Sequence, residues 1–436
     1  MFSMSIPLDR LYHFIENIAE EIHGDRVIIY RFWPNGSKNL NDFYPLYSPT
    51  NFKNYTLDIK IFCADQEPLA YDYYEQFTCS ATDNFNKILI DLGIKPKFGT
   101  NLAYTCYATY KHHILLHSEK RSVEVEKYQQ VEYCSAYYWS HALIARDWFR
   151  FAEHVQQQKQ VKKTFLIYNR AWSNTREYRL RFAELLVTLG LHDHCQTSVN
   201  PVEPELGIHY KTHKFKNSAW SPQTILENYF PVSNAHSHYS ADFDIKDYEA
   251  TDVEVVLETL FDDGRLHLTE KSLRPIACGQ PFILAGTHGS LEYLRSYGFK
   301  TFGDIWDESY DAIENPQERM YAITDLMVQV ANWGPIRERK LAEAQAVADY
   351  NREYFFSDKF FNFVVNELTN NLKNAFSQSG CSIKNIKSMI DLFESILVKK
   401  NSKTYVEKFF NTNFLEISDV LKIAKLQYQK LLSIDK

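Results

Sequence analysis

The chain of 436 residues lacks the features that mark membrane-spanning, secreted and disulfide-stapled proteins. No apolar run reaches the roughly 18–20 residues that cross a bilayer. The seven cysteines are scattered, odd in number and never spaced as Cys-x-x-Cys, which argues against a disulfide framework or a zinc ribbon. Because the N-terminus has no basic region followed by an apolar stretch, we expect no secretory signal and a cytoplasmic protein, in the host cell if the chain is viral.

Glycine-rich nucleotide loops are also missing. Neither Gly-x-Gly-x-x-Gly nor Gly-x-x-x-x-Gly-Lys occurs, which argues against a dehydrogenase and an NTPase. The chain has only 14 Gly and 14 Pro but 29 Tyr and 30 Phe, and its net charge is −7. That charge argues against a surface generally coated by nucleic acid, although a local basic groove remains compatible with it.

Metal ligands are present without the spacing that a metal site requires. The clusters are His192-Asp-His194-Cys195, His236-Ser-His238 and Asp242-Phe-Asp244. A tetrahedral site needs four convergent ligands, and the Asp-x-Asp pair does not follow an apolar strand. We therefore expect no metal site and no cofactor.

Apolar strand-like segments alternate with helical patterns along the chain, which predicts an α/β fold in three parts. The first part, residues 1–155, has a helix at 8–22, strands at 26–30, 57–62 and 113–117, and helical periodicity over 140–154. A polar stretch at 156–163 is a candidate interdomain link. The second part, residues 164–334, has strands at 164–168, 253–259 and 281–285, and a helix at 177–189 closed by Gly190. The third part, residues 335–436, is helical, with patterns at 342–356 and 360–372.

The most informative segment is His267-Leu-Thr-Glu-Lys-Ser-Leu-Arg-Pro-Ile276, followed by Gly279-Gln-Pro-Phe-Ile283. It begins a helix between two strands, and ligands bind at the carboxyl ends of parallel strands. The helix N-terminus with Lys271 or Arg274, one turn apart, can neutralise a diphosphate, while Glu270 can accept hydrogen bonds from ribose hydroxyls. The alternative is a surface segment in which Thr269 is only the N-cap.

Other polar residues follow predicted strands. Arg170 directly follows the strand at 164–168, and Arg176 ends the next loop, so both are candidates for donor phosphates; an ordinary exposed arginine is the alternative for Arg170. The segment His117-Ser-Glu-Lys120 has the same relation to its strand, although a salt-linked loop explains it nearly as well. His141, in an aromatic-rich helix, is interpreted as a core histidine.

Strand, Thr-Glu-Lys helix and Gly-x-Pro-Phe strand together resemble the donor-binding half of GT-B glycosyltransferases of the fucosyltransferase and exostosin type. The resemblance, over roughly residues 60–320, extends to a group of such enzymes common in tailed-phage genomes. The segments that carry it are Ala64-Asp-Gln-Glu-Pro-Leu69, Leu115-Leu-His-Ser-Glu-Lys120, Tyr138-Trp-Ser-His-Ala-Leu-Ile-Ala-Arg-Asp-Trp148, Phe165-Leu-Ile-Tyr-Asn-Arg170, Gly298-Phe-Lys-Thr-Phe302 and Asp307-Glu-Ser-Tyr-Asp311.

The resemblance implies two Rossmann-like domains facing a cleft: an acceptor-side domain at 1–155 and a donor domain at 164–334. It implies metal-independent, inverting transfer from a nucleotide-sugar linked to UDP or GDP. Asp65-Gln-Glu-Pro68 follows an apolar strand and is similar to the acceptor-facing carboxylate loop of fucosyltransferase-like enzymes. Glu67 is thus the first candidate for general base and Asp65 the second. A turn capped by Asp65 and bent by Pro68 is the alternative.

The acceptor is read less directly. A hydroxymethylated pyrimidine in double-stranded viral DNA is favoured, because lysines at 159–163 and 211–216 supply positive charge and the many aromatic residues permit base stacking. A surface glycan or protein is the other acceptor. Two further alternatives stay open: a non-catalytic protein that binds nucleotide-sugars or glycans, and a nucleotide-dependent phosphotransferase.

Overall fold

The computed structural model describes residues 5–24, 27–31, 59–64, 66, 68–69, 113–130, 134–154, 158–204, 206–232, 241, 243–262, 264–378 and 425. The chain divides into two units. The first unit comprises residues 12–118, 123–138 and 367–436, and the second comprises residues 1–11, 119–122 and 139–366. This division groups residues 139–154 and 335–366 with the second sheet; the domain limits at 155, 164 and 334 stay predictions.

The first unit contains a four-stranded parallel sheet in the order β1-β2-β3-β4. Its strands are β1 (Val27–Arg31), β2 (Ile59–Ala64), β3 (His113–His117) and β4 (Cys134–Tyr137). Ile61 of β2 pairs in register with Ile114 of β3, and both side chains are fully buried. The apolar side chains of β2 and β3 are buried, as expected for strands of a parallel sheet.

Helices α1 (Leu8–His23) and α2 (Val123–Gln130) precede and interrupt this sheet. Tyr12, Ile15 and Ala19 of α1 are buried at spacings of three and four residues, as expected for one apolar face. The predicted helix at 8–22 is therefore confirmed. His23 stacks on Phe376 with ring centroids 5.4 Å apart.

The second unit contains another four-stranded parallel sheet, with the order β6-β5-β7-β8. Its strands are β5 (Lys163–Ile167), β6 (Cys195–Thr197), β7 (Thr251–Leu257) and β8 (Phe282–Ala285). Phe165 is paired with Val253, and Val255 with Ile283, and all four side chains are fully buried. The chain moves outward from β5 in one direction to β6 and in the other to β7. The point between β5 and β7 is thus a topological switch point, where ligands of α/β proteins bind.

Helices precede, alternate with and follow these strands along the chain. They are α3 (Ser140–Trp148), α4 (Tyr178–Thr188), α5 (Ile245–Glu249), α6 (Glu270–Cys278), α7 (Ser290–Ser296), α8 (Pro316–Ala331), α9 (Arg337–Phe356) and α10 (Asp358–Gln378). The predicted α/β class with parallel strands is confirmed. Among the described residues, no helix has the length and apolar character needed to span a membrane.

Local signals set several helix ends. Gly190 follows α4 with φ 68°, and Gly279 follows α6 with φ 65°, the left-handed conformation that glycine tolerates best. The Asn315 side chain caps α8, and Pro316 occupies its first turn. The helical periodicity at 140–154 is divided: α3 ends at Trp148, and a 3-10 turn, Arg150–His154, follows.

Arg146 of α3 caps the C-terminal end of α9 with its side chain. This fully buried guanidinium donates to the carbonyl of Phe355, to that of Phe356 at 3.0 Å and to that of Ser357 at 3.1 Å. The last carbonyls of a helix have no partner within the helix, so a cation here satisfies them. Burial lowers the pKa of Arg146 to about 10, which still leaves it charged at neutral pH.

Candidate functional site

The carboxyl edge of the second sheet is formed by the segments that follow β5, β7 and β8. Tyr168 and Asn169 follow β5, Glu258 follows β7, and Gly286 follows β8. Glu258 is fully buried. A buried carboxyl group at the end of a central strand that borders the switch point is the first unusual feature of this edge.

Glu258 is the capping acceptor of α6. Its Oε1 accepts from the backbone N–H of Thr269 at 3.0 Å and of Ser272 at 3.3 Å, while its Oε2 accepts from the Thr269 hydroxyl at 2.8 Å. Burial by itself raises the pKa of Glu258, but the charge of Lys271 and the hydrogen bonds from Ser272 and Thr269 outweigh it and hold the pKa below its ordinary value. The Thr269 and Ser272 amides, which were expected to help bind a diphosphate, therefore already have an anionic partner.

Thr269 is the N-cap of α6, as the capping interpretation predicted. Its extended backbone precedes the helix, and its hydroxyl accepts from the Lys271 N–H at 3.4 Å. Thr269 thus connects Glu258 to the first turn of α6. Glu258 was not predicted as a site residue, because the strand predicted at 253–259 included it, whereas β7 ends at Leu257.

Glu270 and Lys271 form a close pair at the start of α6. Lys271 Nζ lies 2.7 Å from Glu270 Oε1 and 3.3 Å from the Thr269 hydroxyl. Only 13% of the Lys271 side chain and 6% of the Glu270 side chain are exposed. Both head groups are directed back over the first helical turn, so this charged pair is partly shielded from solvent.

Arg274 lies in a different environment. Its guanidinium is 2.6 Å from Oε1 of the buried Glu254 on β7 and 4.3 Å from the centre of the Tyr168 ring. Burial alone lowers the pKa of Arg274, but Glu254 together with Tyr248 and Tyr168 outweighs burial and raises the pKa. Lys271 and Arg274 were both candidates for the diphosphate; in the structure, Lys271 contacts Glu270 and Arg274 contacts Glu254.

Arg170 and Arg176 lie in the loop that follows β5. Both are partly exposed, and Arg176 belongs to the 3-10 turn Asn174–Arg176. They remain the arginines of this loop that solvent reaches.

Arg179, in the first turn of α4, was not singled out from the sequence. It donates to the carbonyl of Ala171 at 2.8 Å, of Leu257 at 2.6 Å and of Glu258 at 3.1 Å. Since Ala171 follows β5 and the other two carbonyls end β7, Arg179 ties the two strand ends together at the switch point. Burial, together with the charge of Arg176, lowers its pKa against the opposing effect of Tyr178.

His141 and His267 complete the surroundings of Glu270. His141 is buried, as a core histidine should be, but its Nε2 lies 3.4 Å from Glu270 Oε2. Its ring meets that of His267 edge-on, with centroids 5.5 Å apart. A histidine inside an aromatic-rich helix gave no sequence signal of this contact.

The polar loop after β3 is salt-linked, as its alternative interpretation proposed. Arg265 Nη1 lies 3.4 Å from Oε1 of the buried Glu119. Lys120 and Arg121 pair with Leu266 through backbone hydrogen bonds of 2.8 and 2.9 Å. The loop therefore anchors the segment that leads into α6.

The predicted general bases, Glu67 and Asp65, lie outside the described residues. Strand β2 ends at Ala64, directly before them. The neighbouring Gln66 is buried, and its Nε2 donates to the Tyr12 hydroxyl.

Metal ligands and a pocket elsewhere in the second unit complete the description. Within the described part of the chain, no group of three or more His, Cys, Asp or Glu side chains is arranged to hold a metal ion; His236, His238 and Asp242 lie outside that part. A pocket of about 240 Å³ is lined by none of the predicted site residues. Its lining comes from α4, residues 218–223 and α8, and includes Arg181, Trp220, Gln317 and Tyr321.

In comparisons with known proteins, no family model, no curated protein and no solved structure matches this chain. The glycosyltransferase interpretation therefore depends on the sequence segments and on the chemistry of the carboxyl edge.

Proposed function

We propose that the chain is a glycosyltransferase that moves a sugar from a nucleotide-sugar to an acceptor hydroxyl, and that its second unit binds the donor. The observation that carries the proposal is the placement of Glu270 and Lys271. They begin a helix at the carboxyl edge of a parallel sheet, next to its switch point. A cation beside a carboxylate at that edge suits the diphosphate and the ribose of one ligand.

The contacts of the site refine the part that each residue takes. Since Glu258 accepts from the Thr269 and Ser272 amides and Glu254 accepts from Arg274, Lys271 is the cation of α6 assigned to the diphosphate. To reach it, the Lys271 ammonium exchanges its 2.7 Å contact with Glu270 for a phosphate oxygen. Glu270 Oε1 then accepts from a ribose hydroxyl, so one ligand contacts both groups.

Arg170 and Arg176 supply further positive charge from the loop after β5. Arg179 holds this loop against the end of β7 through carbonyl contacts on both sides. Preorganised cations lower the cost of binding a diphosphate, because less side-chain order is lost on association.

The proposal includes the GT-B arrangement of two Rossmann-like domains facing a cleft. It assigns the role of general base to Glu67, with Asp65 as the second candidate. The base takes the proton of the acceptor hydroxyl, and the acceptor oxygen bonds to the sugar carbon on the face opposite the diphosphate while the bond to the diphosphate breaks, which inverts that carbon. No metal is needed, because Lys271 and the arginines offset the charge of the leaving diphosphate.

For the acceptor, we retain a hydroxymethylated pyrimidine in viral DNA, with a surface glycan or protein as the alternative. Of the lysines that suggested DNA, Lys159 donates through its ammonium group to the carbonyls of Tyr248 and Thr251 and to the Gln280 side chain. Lys211 is paired with Glu227 at 3.0 Å, whereas Lys214 and Lys216 are exposed. The basic surface for DNA phosphates is thus narrower than the sequence indicated.

A second candidate is a non-catalytic protein that binds nucleotide-sugars or glycans. It is favoured by the ion pairs of Arg274 with Glu254 and of Lys271 with Glu270, because these pairs neutralise the cations of this edge without a ligand. Turnover distinguishes this candidate from the enzyme.

Titration calorimetry with uridine and guanosine diphosphates in the presence of EDTA tests donor binding. Lys271→Ala should weaken nucleotide affinity at least 10-fold, whereas Lys300→Ala, an exposed lysine over the Tyr350 ring, should leave it unchanged. Unchanged affinity in Lys271→Ala contradicts the donor assignment.

Glu67→Ala should retain nucleotide affinity and lose transfer. The readout is mass spectrometry of nucleosides from hydroxymethylated DNA incubated with mixed sugar donors. Binding with no hydrolysis and no transfer to DNA, glycan or protein supports the binding protein instead.

A further inference from the structure

Glu270 is contacted from two sides by groups of different charge. Lys271 Nζ lies 2.7 Å from one carboxyl oxygen, and His141 Nε2 lies 3.4 Å from the other. The lysine belongs to the same helical turn, whereas the histidine is in α3, 129 positions earlier in the chain. The orientation of this carboxyl group thus depends on a tertiary contact.

The backbone around both residues is fixed by neighbouring contacts. Trp139 Nε1 donates to the carbonyl of Leu268 at 2.9 Å, and the His141 ring packs edge-on against His267. Trp139 is fully buried among aromatic rings that include Tyr293 and Tyr297. Residues 139–141 therefore form a rigid support for the segment that begins α6.

The chemistry of the pair defines the direction of the hydrogen bond. Burial lowers the pKa of His141 to about 4, overcoming the opposite effect of Glu270, so the ring is neutral at pH 7. His267 and Lys271 contribute to this lowering of the pKa, while Glu258 opposes it. An ionised carboxylate only accepts, so the tautomer that fits has its proton on Nε2. Nδ1 is then an acceptor, with the Ser140 hydroxyl 3.4 Å away.

We infer that His141 is a positioning residue of the donor site: its neutral imidazole donates Nε2–H to Glu270 Oε2 and orients the carboxylate toward a ribose. The inference rests on the proposed function, because it needs a ribonucleotide at Glu270. A neutral donor suits this role better than a second cation. It orients the carboxylate without neutralising it, and the group keeps its strength as an acceptor.

Four variants and two kinds of probe test the inference. The variants are His141→Leu, His141→Gln, His141→Asn and, as control, His209→Leu, which breaks a histidine–glutamate pair containing none of the site residues. The probes are uridine and guanosine diphosphates and their 2′,3′-dideoxy forms. Gln places an amide N–H where the imidazole has Nε2, whereas the shorter Asn does not reach Glu270.

We expect His141→Leu and His141→Asn to weaken binding of the ribonucleotides about 10-fold, because a hydrogen bond to a charged group is lost. His141→Gln should remain within about 3-fold of the natural protein, given the donor it retains. With the dideoxy probes all variants should bind alike, since no hydroxyl then contacts Glu270. His209→Leu should match the natural protein throughout.

Each other outcome overturns a defined claim. If the natural protein binds neither diphosphate, the proposed function fails, and the inference fails with it. If it binds them and Leu, Asn and Gln have equal affinities, the donor assignment stands and the role of His141 is refuted. A loss that is equal for ribose and dideoxy probes also refutes it, because His141 then acts only on local structure. Should His141→Leu not fold, the contrast between Gln and Asn decides alone.

Discussion

Replacing Glu258 by glutamine tests the most heavily bonded group of the candidate site. Glu258 accepts from the amides of Thr259, Thr269 and Ser272 and from the hydroxyls of Thr269 and Ser272. Glutamine has the same shape but only one acceptor oxygen. The substitution therefore changes hydrogen bonding and charge without creating a cavity.

The expected loss of stability follows from the number of N–H and O–H donors that lose an acceptor. If the amide oxygen takes the place of Oε1, the Thr259 N–H, now 3.0 Å from the carboxylate, faces an NH₂ group. A buried donor left without an acceptor costs about 1–3 kcal/mol. The remaining bonds change from charge-assisted to neutral, and removing a buried charge returns part of that loss. We expect Glu258→Gln to lower the local stability of the start of α6 by about 2–4 kcal/mol.

The pH dependence has a defined sign. Because the pKa of Glu258 is below its ordinary value in the folded protein, its ionised form stabilises the fold. This contribution is complete above the unfolded pKa of about 4.3 and is lost as the pH falls through the lower folded pKa. The difference between the natural protein and Glu258→Gln should therefore be full at pH 7 and shrink below about pH 4.

Hydrogen exchange of the peptide covering residues 267–278 is the suitable assay, since a chain with two units need not unfold in one transition. Exchange should accelerate by at least about 30-fold, the equivalent of about 2 kcal/mol. Glu318→Gln is the control, because Glu318 is an exposed carboxylate in the first turn of α8. A change below about 3-fold in Glu258→Gln, or one equal to the control, would refute the capping role.

Two further predictions concern the frame of the second unit. Arg146→Met should destabilise the end of α9 by about 2–4 kcal/mol, because the carbonyls of Phe355 and Phe356 lose a buried charged donor. Hydrogen exchange of residues 350–360 measures this loss, and equal protection in the variant and the natural protein would contradict it. Gly298→Ala should lower the free energy of unfolding by about 1–3 kcal/mol, since φ is 92° and an added Cβ would lie 2.7 Å from the Tyr354 hydroxyl. The control is Gly264→Ala, where an added Cβ meets open space, and equal urea midpoints for the two variants would contradict the prediction.

Strands were predicted well where their composition was distinctive. Residues 113–117 and 281–285 are short apolar runs bounded by polar residues, and both form strands close to the predicted limits. Strand β6 was missed because Cys-Gln-Thr is short and polar, and pairing with β5 is what makes it a strand. The helix predicted at 342–356 begins earlier in the structure, at Arg337. Its first turns were not predicted because they lack an apolar pattern.

The candidate site was predicted in its position but not in its contacts. Thr269, Glu270 and Lys271 were predicted at a helix start after a strand, and in the structure that helix begins at Glu270. It could not indicate that Glu258 caps this helix or that His141 reaches Glu270, because those partners are distant in sequence. Nor could it separate Arg274 from Lys271, since spacing on a helix does not tell which residue faces a buried carboxylate.

The sequence by itself determined the α/β class, most of the strands and the chemistry that can occur at the start of α6, because periodicity, capping residues and glycine are local properties of a chain. Tertiary structure alone decided which charges are neutralised internally. Glu254 accepts from Arg274, Glu258 accepts from the first turn of α6, and His141 contacts Glu270. The physical reason is that the energy of a buried charge depends on the partners that folding brings within about 3 Å, and these come from strands and helices far apart in sequence.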